Sequence, residues 1–120
     1  MLSKRYRLRK NIEFVATYAQ KKFVSNEYLS LNIGKTKPAE DFIAKAAFVV
    51  SKKIDKRAVV RNKIKRRMRE AYKEIMRSNP ALQKWMSMIF SAKSECVEAA
   101  YSDIKASMEF LVNKAYNKYD

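Results

Sequence analysis

Between Arg57 and Arg69 cations recur at every fourth position, Arg57, Arg61, Lys65 and Arg69. Lys63, Arg66 and Arg67 lie between them, and Asn62 is a polar but uncharged residue in the run. On a helix this spacing sets positive charges in a row about 6 Å apart, near the repeat of a phosphate backbone. Arginine adds a planar fork that grips a phosphate through two hydrogen bonds or stacks on a base. Asn62 can donate to and accept from a sugar or a base edge. Unrelieved like charges one turn apart destabilise a helix by roughly 0.2–0.5 kcal/mol per pair, and only Glu70 lies inside the run to offset them. A polyanionic partner therefore accounts for the run better than a solvated face does.

Other chemistries fit less well. The chain has no histidine, one cysteine and one glycine, so it offers no imidazole base and no glycine-rich phosphate loop. No catalytic side chain is expected. Glu70 and Glu74 stand one turn apart and could hold a cation, but among so many lysines and arginines they read as salt-bridge partners, and no metal is assigned. Cys96 cannot close an intrachain disulfide, which suits a reducing compartment, and reads as a buried or idle thiol. Phe14 and Tyr18, four apart, share one side of a first helix beside Arg5, Arg7, Arg9 and Lys10. Such aromatics can stack unpaired bases or serve as core, and spacing leaves both open.

The charge is localised. The net charge of +15 resides wholly in residues 1–22 and 52–73, the other two stretches being balanced. A footprint of this kind matches a nucleic-acid partner. The chain of 120 residues, 48% hydrophobic, has the length of one domain (1–120) and the apolar content for one core. No apolar stretch approaches the roughly 20 residues of a membrane span, and Met1–Lys10 is not followed by the apolar run of a signal peptide. The expectation is a cytoplasmic protein, monomeric on its own and without a membrane partner.

The elements that must position these residues follow from periodicity. Asn11 is the expected N-cap of the first helix, with Phe14, Val15, Tyr18 and Ala19 on its apolar side. From Glu27 to Ile33 the period falls to two, placing Leu29, Leu31 and Ile33 on one face and Tyr28, Ser30 and Asn32 on the other. Phe42–Ser51 is apolar on both faces apart from Lys45, as in the middle of a sheet. Residues 56–77 form the longest helix, with Val60, Ile64, Met68, Ala71 and Ile75 as its apolar stripe. Asn62, Arg66, Arg69 and Lys73 lie opposite that stripe, with Arg61 and Lys65 on its shoulder. Ser78-Asn79-Pro80 ends it. Lys84–Ser91 reads as a further strand and Ala100–Lys118 as a last helix. A short extra strand near Phe23-Val24 would complete the pattern.

Phe48-Val49-Val50-Ser51-Lys52-Lys53, followed by the run from Lys56 to Tyr72 with its Arg61-Asn62-x-x-Lys65-Arg66-x-x-Arg69 core, resembles the protein component of bacterial ribonuclease P. Arg7-Leu8-Arg9-Lys10-Asn11-x-x-Phe14 is similar to that family's opening, and Tyr101-Ser102-Asp103-Ile104 to its last helix. The resemblance implies an α+β fold, a two-layer α/β sandwich in α-β-β-β-α-β-α order with a left-handed β-α-β crossover. It implies an accessory subunit of an endoribonuclease whose chemistry belongs to a catalytic RNA using Mg²⁺ to release the 5′ leader of precursor tRNA. Lys52, Lys53, Arg57, Arg61, Asn62, Lys65, Arg66 and Arg69 would meet the catalytic RNA, and Phe14 and Tyr18 would line a cleft for the leader. Where family members often have glycine, this chain has Lys21-Lys22 after the first helix and Asp55-Lys56 before the motif. Lys84–Ser91 is also poorer in Val and Ile than the usual fourth strand.

Three other readings compete. A ribosomal or RNA-chaperone protein would share the charge layout but not the motif. A helix-turn-helix DNA reader needs a helix just before residue 56, where the sequence reads as strand. A binder of anionic membranes would place bulky apolar anchors where Asn62 and the arginines stand.

Overall fold

The computed structural model describes residues 6–8 and 10–119; Arg5 and Arg9 lie outside them. The elements run α1 (Asn11–Ala19), β1 (Lys22–Ser25), β2 (Leu29–Ile33), β3 (Lys45–Val49), α2 (Ala58–Ser78), β4 (Ser87–Ala92) and α3 (Tyr101–Lys118), with 3-10 turns at Pro80–Leu82 and Ser94–Cys96. The short strand near Phe23-Val24 is β1.

The four strands form one sheet in the order β1-β2-β4-β3. β1 with β2 and β2 with β4 are antiparallel, whereas β3 and β4 are parallel neighbours. Parallel neighbours cannot be joined by a hairpin, and α2 is the connection. The period-two pattern of β2 is realised: Leu29, Leu31 and Ile33 are fully buried, Ser30 and Asn32 half-buried. The Asn26 side chain accepts the N–H groups of Tyr28 (3.0 Å) and Leu29 (3.1 Å) and so turns the chain from β1 into β2.

β4 is buried on both faces, with Met88, Ile89 and Phe90 all inaccessible. It begins at Ser87, later than the expected Lys84, because a bend separates it from Trp85, which pairs only with Thr36. The expected strand at Phe42–Ser51 is paired from Lys45 to Val49, the length over which its parallel register with Ser87–Ser91 holds.

α2 and α3 cover one face of the sheet. Ile64, Met68, Ile75, Ile104, Met108, Leu111 and Val112 close over Leu31, Ile33, Met88 and Phe90 in a single core. The half-buried Phe48 ring packs against this core, stacked on Phe90 at 5.7 Å, and Tyr72 of α2 meets both edge-on. Burial pushes the Tyr72 phenol up to about 12.

α1 crosses the opposite face, over a smaller cluster of Leu8, Ala47 and Ile89 with Phe14 and Val49 against it. Here the periodicity misled. The buried residue of α1 is Thr17, 1% exposed, while Val15, Tyr18 and Ala19 of the expected apolar side stay at the surface. Thr17 Oγ1 donates to Glu13 O at 2.7 Å and accepts from the Ser87 hydroxyl beneath it. Gly34 lies under that pair, where any Cβ would strike Ser87 Oγ. The helix starts one residue earlier than expected, with Lys10 as N-cap, because the Glu13 carboxylate reaches back to the Lys10 N–H at 3.3 Å.

Candidate nucleic-acid interface

α2 buries Ile64, Met68, Ala71, Tyr72, Ile75 and Met76, and that fixes which of its cations face outward. Asn62, Lys63 and Arg66 are exposed, with Lys65, Arg69 and Lys73 half-buried at the margins. Among the described residues none of these cations has an ion pair or hydrogen bond with the protein, and Lys52 and Lys53 just upstream are likewise exposed and unpaired. Lys63 was not among the expected site residues. Its exposure beside Arg66 places it on the same surface, and the helical spacing of three could have shown it.

The expected row of Arg57, Arg61, Lys65 and Arg69 is divided. Arg57 is exposed but gripped by Asp55: Nε donates to Oδ1 at 3.1 Å, Nη2 to Oδ2 at 2.9 Å, and the Arg57 backbone N–H to Oδ1 at 2.8 Å. That grip holds the Asp55 carboxyl at about 2 and raises Arg57. Arg61 Nη1 donates to the carbonyls of Asp55 (2.9 Å) and Lys56 (2.8 Å), closing the loop before the helix. The reason is electrostatic. α2 has no acidic residue in its first turn, where the helix dipole disfavours cations, and Asp55 supplies the missing negative charge from outside. Asp55 thus sets a negative charge just ahead of the helix, with its carboxylate accepting from the Arg57 backbone N–H. Lys65 and Arg69 are the half of the row free to meet a partner.

Arg67 points the other way, Nη1 donating to Ala99 O at 3.0 Å and tying α2 to the start of α3. Glu74 pairs with Lys105 of α3 at 2.8 Å, which holds its carboxyl low, so its salt bridge spans two helices. Cys96 is buried, its thiol donating to Tyr28 O at 3.0 Å and raised by burial.

On the α1 side the sheet carries two rows of side chains. Register aligns Ala47, Ile89, Asn32 and Phe23 across the four strands, and beside them Val49, Ser91, Ser30 and Ser25. The second row is half-buried throughout, an open floor of small hydroxyls. α1 lies beside it: Phe14 is half-buried against the cluster of Leu8, Ala47 and Ile89 that Val49 also meets, and Tyr18, one turn on, is 44% exposed. The chain leaves β3 at Val49 and passes through Lys52 and Lys53 into α2. The cationic helix therefore begins at the same end of the sheet as this floor. Because β3 precedes α2 directly, the helix-turn-helix arrangement is excluded. Among the described residues no helix is long and apolar enough to cross a membrane.

The chain matches the family model for ribonuclease P over residues 2–116. It is 38% identical over 112 residues to the ribonuclease P protein component of Clostridium acetobutylicum, covering 93% of this chain and 90% of that protein. It is 32% identical over 108 residues to that of Alkaliphilus oremlandii, covering 90% and 89%. Its fold is similar to that of a mutant Staphylococcus aureus RNase P protein, with a TM-score of 0.76 at 28% identity over 94% of this chain and 90% of that one.

Proposed function

The chain belongs to the ribonuclease P protein family, so its partner is the ribonuclease P RNA, and we propose that it joins that RNA through the free face of α2 while the floor beside α1 takes the 5′ leader of precursor tRNA. The observation that carries this reading is that β3, which borders the floor at Val49, leads through the unpaired Lys52 and Lys53 into the helix whose outward cations Lys63, Lys65, Arg66 and Arg69 are also unpaired among the described residues. A polyanion held by the cations would bring a neighbouring single strand to Phe14 and Tyr18. Asn62, exposed at the start of that face, can bond to sugar or base. Arg57 and Arg61 add to the local potential, but their main work is to shape the loop.

Hydrolysis of the phosphodiester belongs to the RNA. Two carboxylates beside the interface are engaged with the protein's own cations, Glu13 with Lys45 and Asp55 with Arg57. Mg²⁺ held by the RNA would activate the attacking water. What the protein's residues supply is charge neutralisation and leader positioning. The chain acts as a monomer joined to its RNA, in the cytoplasm.

The test is cleavage of precursor tRNA by the catalytic RNA, with and without the purified chain, at Mg²⁺ too low for the RNA alone. The expected result is faster cleavage with the chain present; an unchanged rate and KM would defeat the assignment.

A further inference from the structure

We propose that Phe23 is a third aromatic platform for an unpaired RNA base, extending the binding floor across the sheet to its edge strand; the inference rests on the leader-binding reading above. Phe23 is 55% exposed. Its neighbour Val24 is buried in the core with Leu31, so alternation turns the Phe23 ring onto the α1 face. There it stands in register with Asn32 of β2 and Ile89 of β4. The other side chains on this half of the floor are Ser25, Ser30, Ser91 and Asn32. A phenyl ring left open to water among small polar groups forgoes the gain of burying its apolar surface. It is accounted for if a base covers it.

The ring is presented on a fixed backbone. Tyr119 at the end of the last helix donates its hydroxyl to Phe23 O at 3.2 Å, and the Lys22 ammonium lies 5.9 Å from the Tyr119 ring centre. Beside it the Asn32 amide can meet a base edge, and the exposed Lys21 ammonium a phosphate. From Ala47 on β3 to Phe23 on β1 is three strand spacings, roughly 14 Å, so a strand crossing the sheet from the β3 side reaches Phe23 after Phe14 and Tyr18. Stacking on a phenyl ring is tolerant of base identity, and leaders varied in sequence should all be held.

The experiment uses the reconstituted RNA–protein holoenzyme and precursor tRNAs whose leaders are shortened one nucleotide at a time. With wild-type protein, affinity should rise in steps as the leader lengthens. In Phe23→Ala the last step should vanish, roughly a 5- to 100-fold loss for long leaders, with short leaders unaffected. Phe23→Trp should restore the step, and Phe23→Ser, matching the rest of the floor, should repeat the loss. Equal affinity of Phe23→Ala and wild type at every length overturns the proposal, as does an equal loss at every length. So does a shift from dimer to monomer in sedimentation without a change in leader dependence, which would assign the ring to a second copy of this chain. If wild type itself shows no dependence on leader length, the leader-binding reading fails and takes this inference with it.

Discussion

Thr17→Val tests how α1 is held on the sheet, and with it the position of Phe14 and Tyr18. The substitution keeps the shape of the side chain and removes one oxygen. In the native protein that oxygen donates to Glu13 O and accepts from Ser87. The Glu13 carbonyl also has its helix partner and loses little. Ser87, 8% exposed, is left with a hydroxyl proton and no acceptor, which costs about 1–3 kcal/mol in a buried setting. Partial access to water favours the lower half, about 1–2 kcal/mol. At an unfolding entropy of roughly 2.1 cal/mol/K per residue, this lowers the melting temperature by about 4–8 °C for a chain of this length. The double variant Thr17→Val/Ser87→Ala removes both partners. It should recover about 1 kcal/mol relative to the sum of the single losses. Denaturant melts of the four proteins measure the cycle directly. If the two single losses simply add to within about 0.3 kcal/mol, the hydroxyl pair does not dock the helix and the reasoning is wrong.

Other expectations follow from the same contacts. Arg66→Ala or Arg69→Ala should reduce the salt dependence of binding to the catalytic RNA by about one unit per lost phosphate contact. Arg67→Ala, which frees Ala99 O from a charged donor, should instead lower stability by about 1–2 kcal/mol in thermal melts and leave the slope unchanged. Lys21 occupies the left-handed region at φ 53°, so Lys21→Gly should gain about 0.5–1 kcal/mol in stability, read in the same melts. The hydrogen bonds from Arg57 hold the Asp55 carboxyl at about 2, below its ordinary 3.8. Its carboxylate therefore stabilises the fold above pH ~4, and that contribution is lost as pH falls from ~4 toward 2. An acid melt of Asp55→Asn should lack that part of the slope.

Much of this was legible in local pattern. The stripe Ile64, Met68, Ala71 and Ile75 set the orientation of α2, and the alternation of β2 set which face of the sheet is core. The family resemblance made the short strand near Phe23-Val24 a full member of an α-β-β-β-α-β-α order, which periodicity offered only as an addition; the order of the strands within the sheet came from the structure. What escaped were long-range contacts. Thr17 meets Ser87 across 70 residues, and no helical period reveals that a threonine will be buried while Tyr18 is not. Arg57 and Arg61 looked like members of a free row because their spacing matched it. Their partners are an aspartate and carbonyls before the helix, outside its repeat. Phe23 reads in the sequence only as part of a short strand, because one aromatic in four residues has no periodicity, and its place on the floor comes from its register with Asn32.

The salt dependence of binding between the purified chain and the catalytic RNA tests the central claim most directly. If the unpaired cations of α2 and Lys52-Lys53 meet phosphates, log K should fall with log salt at a slope of about −4 to −6. A slope no steeper than about −1, or one unchanged when Lys63, Lys65, Arg66 and Arg69 are neutralised together, would show that the RNA is held elsewhere.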